Sequence, residues 1–335
     1  MARGLAGCSH SSPLKMLSVA ICTYNRAALL NRVLDSLTNQ TPSNHEVEIL
    51  IVDNGSTDET SQVVNQRQVL DARIRYVVEL EPGIAHARNR AMAEARGEYL
   101  AFIDDDAWAD PDWLENLLAP IQSVRPRPEC VVGPVSLVWE GNRPEWFPVR
   151  FESLLCRYEM GDVPRFLDAD GYLLTTNSLF HRETLLNLGG MRTDLGHKRK
   201  ALIGGEDNDI FNRLIANGHR VYYQPTAHVN HPVPKERQTR RFLLRRLFWD
   251  GASQPLFERT GVNNEPATSA WTGFYRSSRR SLRFLFETFY GLLSGNRTAA
   301  ETGFYRLVQR LGRMRTYLIM ALGSADEPLP LKTRD

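Results

Sequence analysis

Long apolar runs are missing from this chain. Nowhere does it reach the roughly 18 uninterrupted apolar residues of a membrane-spanning helix, so an integral helical membrane protein is not expected. Cysteine is scarce. Cys8, Cys22, Cys130 and Cys156 are the four present, and they form neither a CxxC pair nor a tight framework. Buried or idle thiols in a reducing cytosol are the expectation. Internal repeats and long low-complexity tracts are absent. The string Leu5-Ala6-Gly7-Cys8 has the form of a lipid-attachment signal, but only four residues precede Leu5. A working signal needs a charged start and then roughly 7–15 apolar residues. Residues 1–14 therefore read as a flexible tail.

What is present is ordinary globular material. Of 335 residues, 42% are apolar and 24% charged, which excludes a disordered or collagen-like chain and supplies a sizeable core. The length suits about two domains. A net charge of +2 conceals an asymmetry. Residues 232–335 hold 18 basic and 9 acidic side chains, whereas the rest of the chain holds 23 basic and 30 acidic. The acidic part suits a bound cation and the basic part suits an anionic surface. Plain solvated charge is the simpler alternative.

Apolar periodicity predicts strand, loop and helix in alternation. Leu17–Cys22 reads as a strand, and Leu29, Leu30, Val33, Leu34 and Leu37 then recur at helical spacing. Val47–Val52 is a second strand, with a helix starting near 56–58. Arg73–Val78 is a third strand, Ile84–Ala95 an Ala-rich helix, and Glu98–Ile103 a fourth strand. Farther on, strands are expected at 131–138, 173–180 and 220–223, with helices at 182–188 and 207–217. Beyond about Pro234 the chain reads as Arg-rich amphipathic helices. Such alternation predicts an α/β fold, Rossmann-like, with a mostly parallel sheet flanked by helices. Ligands of such sheets lie beyond the carboxyl ends of the strands. The polar clusters at 23–26, 53–56 and 104–106 all fall at such ends.

Four features carry chemistry. Asp104-Asp105-Asp106 follows the apolar strand YLAFI. Adjacent carboxylates repel unless a cation or donors compensate them, and oxygen ligands suit Mg²⁺ or Mn²⁺. A solvated acidic turn is the alternative. Asp53-Asn54-Gly55-Ser56-Thr57-Asp58 follows the strand VEILIV. A strand-end carboxylate can accept an N–H from a pyrimidine ring, and the same residues also serve as turn and helix cap. Gly204-Gly205-Glu206-Asp207 opens a helix, where its carboxylates can cap or act as a general base. His228 and His231 follow the strand RVYY and can add a nitrogen ligand to a carboxylate-bound ion.

Taken in order, the loop Thr23-Tyr24-Asn25-Arg26, IVDNGSTD, Gly83-Ile84-Ala85-His86-Ala87-Arg88-Asn89, FIDDD, LGGM, GGEDND and PTAHVNH resemble a family 2 glycosyltransferase of the GT-A fold. The resemblance spans about residues 15–232 and leaves 233–335 as a basic helical region. It implies an inverting transfer from a nucleoside-diphosphate sugar donor, with UDP as the leading nucleotide. The acceptor would be a hydroxyl of a glycan or a lipid-linked acceptor. By the same resemblance Thr23, Asn25 and Arg26 line the nucleotide pocket, and Asp53 with Asn54 meets the base. Arg88 approaches the diphosphate. Asp104 and Asp106 are the outer positions of a DxD motif, with Asp105 beside them at the donor. Asp106, Asp104 and His231 would hold Mn²⁺ or Mg²⁺. Asp207 matches the catalytic base, with Glu206 as its neighbour.

In the C-terminal third, Arg276, Arg279, Arg280 and Arg283 lie beside Phe284, Leu285, Phe286 and Phe289. Upstream, Arg237, Arg240, Arg241, Arg245 and Arg246 alternate with apolar residues. An anionic membrane surface is one expected partner, which would put the protein in the cytoplasm or peripherally on the inner face of the plasma membrane. Helices packed on the catalytic domain are the equal alternative. Arg240, Arg241, Arg245 and Arg246 also suit an acceptor phosphate. Nucleic acid is not expected, since no reader motif is present. A sugar nucleotidyltransferase would need a Gly-rich phosphate loop after the first strand, and TYNRAALL has no glycine. A non-catalytic membrane-surface binding protein is the remaining alternative.

Overall fold

The structure is a computed structural model and describes residues 16–38, 40, 46–198, 201–258 and 269–322. The 1–14 tail and its Leu5–Cys8 string lie outside the described residues. The chain begins β1 (Met16–Thr23), α1 (Ala27–Thr38), β2 (Glu46–Asp53), α2 (Thr60–Leu70), β3 (Ile74–Val78), α3 (Ile84–Glu94) and β4 (Tyr99–Ile103). It continues through β5 (Trp108–Ala109), α4 (Trp113–Ser123), β6 (Cys130–Val132), β7 (Val135–Trp139), β8 (Arg165–Phe166) and β9 (Asn177–His181). Then come α5 (Arg182–Asn187), α6 (Glu206–Ala216), β10 (Val221–Tyr223) and β11 (Val229–Val233). Three helices close the described chain: α7 (Arg240–Glu258), α8 (Ala270–Leu293) and α9 (Arg297–Leu322). None of the described helices is long and apolar enough to cross a membrane.

The main sheet has the order β3-β2-β1-β4-β9-β6-β10-β8. Its first four strands are mutually parallel, as the strand–helix alternation predicts. Period-2 alternation divides the buried side chains between two faces. Val19, Ile21, Ile49 and Ile51 meet Leu30 and Leu34 of α1 and Trp113 of α4 on one face. Ala20, Leu50, Val52 and Phe102 meet Ala87 and Ala91 of α3 and Ile210 of α6 on the other. A parallel sheet covered on both sides puts Thr23, Asp53 and the residues after Ile103 at one common edge. Strand β9 runs antiparallel to β4, so the residues preceding Asn177 arrive at that same edge.

Three expectations change. The strand foreseen at 131–138 is two strands in two sheets, since β6 joins the main sheet while β7 pairs with β11 in a sheet ordered β5-β11-β7. The break is at Gly133-Pro134. The Ala227 carbonyl leaves no room for a Cβ at Gly133, and proline cannot donate to a ladder. The seam is held by Asn177, whose Nδ2 donates to the carbonyls of Pro134 (2.8 Å) and Ala227 (2.7 Å). The strand foreseen at 173–180 begins only at Asn177, because Thr175 and Thr176 turn into the cavity edge described below. The helix foreseen near 56–58 starts at Thr60, with Asp58 accepting the Thr60 amide (3.1 Å) and the Ala27 amide (3.0 Å).

The C-terminal helices do not form one uniform layer. Helix α7 packs inward: its Leu243 and Leu247 join Phe147, Leu155 and Val233, and its Ala252 and Leu256 join Leu195 and Ile203. Helix α9 crosses it at glycines, for the Gln309 carbonyl fills the space beside Gly251 and the Phe248 carbonyl that beside Gly312. Packing on the rest of the chain therefore accounts for α7. It does not account for α8, whose large apolar side chains face outward.

Candidate active site

A cavity of about 660 Å³ opens at the carboxyl edge of the sheet. Thr23 and Arg26 reach it from the loop after β1, Asn54 from the loop after β2, and Asp104, Asp105 and Asp106 from the loop after β4. Arg88 enters from α3, Glu206 and Asp207 from the start of α6, and His231 from β11.

Arg88 is the hub of one half. Its buried Nη1 donates to Glu206 Oε1 at 3.0 Å and to Asp207 Oδ1 at 3.2 Å. Its Nη2 lies 3.7 Å from Asp104 Oδ1. Thr176 Oγ1 donates to Asp104 Oδ2 at 2.5 Å, and Thr175 Oγ1 contacts Asp207 Oδ1. Burial pushes the Asp207 carboxyl up to about 7, with the Arg88 charge opposing the rise and Glu206 and Asp104 adding to it. A carboxyl so poised can take a proton near neutral pH. Burial likewise pushes the Cys22 thiol up to about 12, so it is not a thiolate nucleophile.

The second half centres on Asp106. Arg26 Nη1 and Arg237 Nη2 each lie 3.0 Å from its Oδ2, and His231 Nε2 lies 3.2 Å from its Oδ1. Burial works against ionisation here, but the hydrogen bond and charge of His231, together with Arg26 and Arg237, hold the Asp106 carboxyl well below the usual range. Asp105 shares Arg26 at 2.7 Å, yet burial beside Asp106 lifts its carboxyl to about 6. Potential ligand atoms of Asp104, Cys156 and His231 lie within 4.8 Å of one another. His231 is buried and its Nδ1 makes no hydrogen bond. Cys156 sits in the left-handed region at φ +76°, which β-carbon sterics disfavour. The converging atoms are thus one carboxylate, one thiol and one imidazole, and the second carboxylate of the motif, Asp106, is held by Arg26, Arg237 and His231. With Asp106 added, the carboxylates and imidazole would fit a hard divalent ion such as Mn²⁺ or Mg²⁺.

Two expected residues do not line the cavity. Asn25 (φ +52°) turns toward the neighbouring loop, where its Oδ1 accepts the Thr57 amide at 2.7 Å. Its backbone amide donates to Ser56 Oγ at 2.9 Å, so it staples two loops and does not face a ligand. Asp53 is buried beneath the edge, its carboxylate accepting the Ser56 amide (2.8 Å) and the Tyr76 hydroxyl (2.5 Å). Asn54 lines the cavity but is also structural, donating to the carbonyls of Glu79 and Glu81 and accepting from the Gly83 amide.

Sequence reasoning missed several lining residues. Thr176 lines the cavity, although the sequence pattern places it inside the strand expected at 173–180; the Thr-Thr pair ahead of SLF is the polar signal for it. Arg237 lines it too, although in the sequence it stands only within a basic run. His197 and Asp250 had no local signal. Arg246 reaches the cavity, with its Nη1 2.9 Å from His197 Nε2. Burial and the Arg246 charge push His197 down to about 3, so its ring stays neutral.

The glycosyl transferase family 2 model matches residues 18–185, half of the chain. The glucosyl-dolichyl phosphate glucuronosyltransferase of Haloferax volcanii is 29% identical over 245 residues, covering 72% of this chain and 77% of its own. Succinoglycan biosynthesis protein ExoM of Rhizobium meliloti is 28% identical over 238 residues, covering 70% and 72%. Among solved structures, the Pyrobaculum calidifontis mannosyltransferase PcManGT, in complex with GDP-Man and Mn²⁺, superposes with TM-score 0.58 at 20% identity over 89% of this chain and 86% of that one. TarS of S. aureus, in complex with UDP, gives TM-score 0.52 at 16% identity over 90% and 91%. The likeness to these structures is one of fold. The chain belongs to glycosyltransferase family 2, is a glycosyltransferase, and has the GT-A fold.

Proposed function

We propose that the chain transfers a sugar, with inversion, from a nucleoside-diphosphate sugar to a hydroxyl of a glycan or lipid-linked acceptor. UDP is the proposed nucleotide. The observation that carries this reading is the junction at Arg88, where a half-buried base candidate and the first aspartate of the DxD motif share one guanidinium inside one cavity. Asp207 takes the proton of the acceptor hydroxyl as that oxygen bonds the anomeric carbon and the bond to the diphosphate breaks. Arg88 keeps Asp207 ionisable despite burial and keeps it aimed. Glu206 shares the same guanidinium and is the positioning neighbour.

Asp104, Asp106 and His231 are the residues proposed to hold Mn²⁺ or Mg²⁺, which when bound supplies positive charge to the leaving diphosphate. Thr23, Arg26 and Asn54 line the donor side, Asp105 holds Arg26 in place, and Arg237 and Arg246 add cationic groups facing the same space. A donor phosphate would draw Arg26 and Arg237 away from Asp106 and free its oxygens. Asp53 shapes the base end through the 53–56 turn. The mannosyltransferase complex with GDP-Man and Mn²⁺ supports a nucleotide-sugar and divalent-ion reading. The Haloferax relative's name supports a lipid-linked acceptor.

The test is a transfer assay with UDP-sugars, Mn²⁺ and lipid-linked or soluble glycan acceptors, with product configuration read by NMR. Inverted product supports the reading. Retained configuration, or pyrophosphate release from a nucleoside triphosphate in place of transfer, overturns it.

A further inference from the structure

We propose that the outward face of α8 lies on an anionic lipid surface. The helix is inverted relative to one that buries its apolar side. Toward α9 it turns small residues, Gly273, Ser277, Ser281 and Gly291. Outward it turns Trp271, Leu282, Phe286, Phe289 and Leu293, between 57% and 72% exposed. The small residues are required by close approach. A Cβ on Gly291 would stand 2.5 Å from the Ala300 nitrogen, and one on Gly303 of α9 would stand 2.8 Å from the Thr288 nitrogen. Helices that pack through small residues and present large apolar ones outward are the pattern found where the surroundings are lipid. In water such a face is costly, and apolar patches of this kind mark a contact site.

Charge selects the occupant. At about 100° per residue, Arg276, Arg279, Arg280 and Arg283 fall together along one border of the apolar stripe. Arg276, Arg279 and Arg280 make no ion pair among the described residues, while Arg283 pairs with Glu287 at 2.8 Å. A stripe of Trp, Phe and Leu beside a row of arginines is the surface of an interfacial helix on anionic headgroups. A second copy of the chain fits less well. An antiparallel isologous pair would line up the two arginine rows along the same border, where they repel. Spanning is excluded for α8, which is not apolar enough to cross a membrane. The inference is independent of the reaction proposed above.

The experiment is cosedimentation of the full chain with vesicles of phosphatidylcholine alone and of phosphatidylcholine mixed with phosphatidylglycerol, at low and high salt. Anionic vesicles should capture at least about tenfold more protein at low salt, and high salt should remove the difference. The paired change Phe286→Glu with Phe289→Glu should lower capture at least about tenfold. The triple change of Arg276, Arg279 and Arg280 to Ser should remove the preference for anionic lipid while leaving the melting temperature unchanged. Equal capture by both vesicles, or capture unaltered in both variants, overturns the proposal. So does a wild-type chain that ignores vesicles but self-associates in the ultracentrifuge through this face.

Discussion

The Nη1 of Arg88 donates to Oδ1 of Asp207 at 3.2 Å, although 119 residues separate them. One guanidinium from α3 thereby compensates the half-buried Asp207 and the buried Glu206 at the start of α6, the latter of which would otherwise lack a countercharge. Removing one partner of a buried pair costs roughly 3–5 kcal/mol. Arg88→Met should therefore lower unfolding free energy by about that amount, read from urea titration. It should also move the acidic limb of the rate profile upward. A destabilised variant with an unmoved limb would separate Arg88 from the titration of Asp207.

As the proposed base, Asp207 must be ionised to accept a proton, and burial lifts its carboxyl to about 7. Turnover should therefore fall as pH drops through about 7, in the direction of protonation. Asp207→Asn should lower kcat by roughly 10²–10⁴-fold and erase that limb while leaving donor KM near its original value. Equal loss in kcat and donor affinity would assign Asp207 to binding.

Asp106→Asn removes a proposed ligand but keeps the side chain's size and its neighbours Arg26, Arg237 and His231. Transfer should be lost and the far-ultraviolet circular dichroism retained. Chelation of the wild type should give the same loss, and added Mn²⁺ should restore it. Normal turnover in the variant would remove Asp106 from the metal role.

Asn177 bridges the two sheets, accepting from Trp113 Nε1 at 2.8 Å while donating to two buried carbonyls. Asn177→Ala strands the Trp113 indole N–H and the Ala227 carbonyl, each at a cost of about 1–3 kcal/mol, whereas the Pro134 carbonyl keeps the Val229 amide at 3.1 Å. A clear drop in unfolding free energy is expected, measured by denaturant titration. An unchanged midpoint would mean that the seam relaxes without penalty.

The strand–helix alternation through β4 was legible because each segment repeats its own period, 2 for β1 and 3.6 for α1. The loop-end clusters were legible because a parallel sheet gathers carboxyl ends. Less was readable where long-range contacts decide. Gly133-Pro134 splits an apolar run because a distant carbonyl occupies the Cβ space. Asn25 and Asp53 sit in the right loops, but their side chains satisfy loop amides. His197, Arg237 and Asp250 reach the cavity through tertiary packing, which leaves no trace in local spacing. The basic C-terminal stretch likewise divides, with α7 packed inward and α8 facing out.

The proposed function requires a nucleotide site whose carboxylates take a divalent ion. A thermal-shift panel of UDP, GDP, dTDP and CMP, each with and without Mn²⁺, tests it most directly, because a ligand that binds only the folded state raises the midpoint by mass action. The expected result is a shift with UDP that requires Mn²⁺ and is lost in Asp106→Asn. A shift with no nucleotide, or one that ignores the ion, would contradict it.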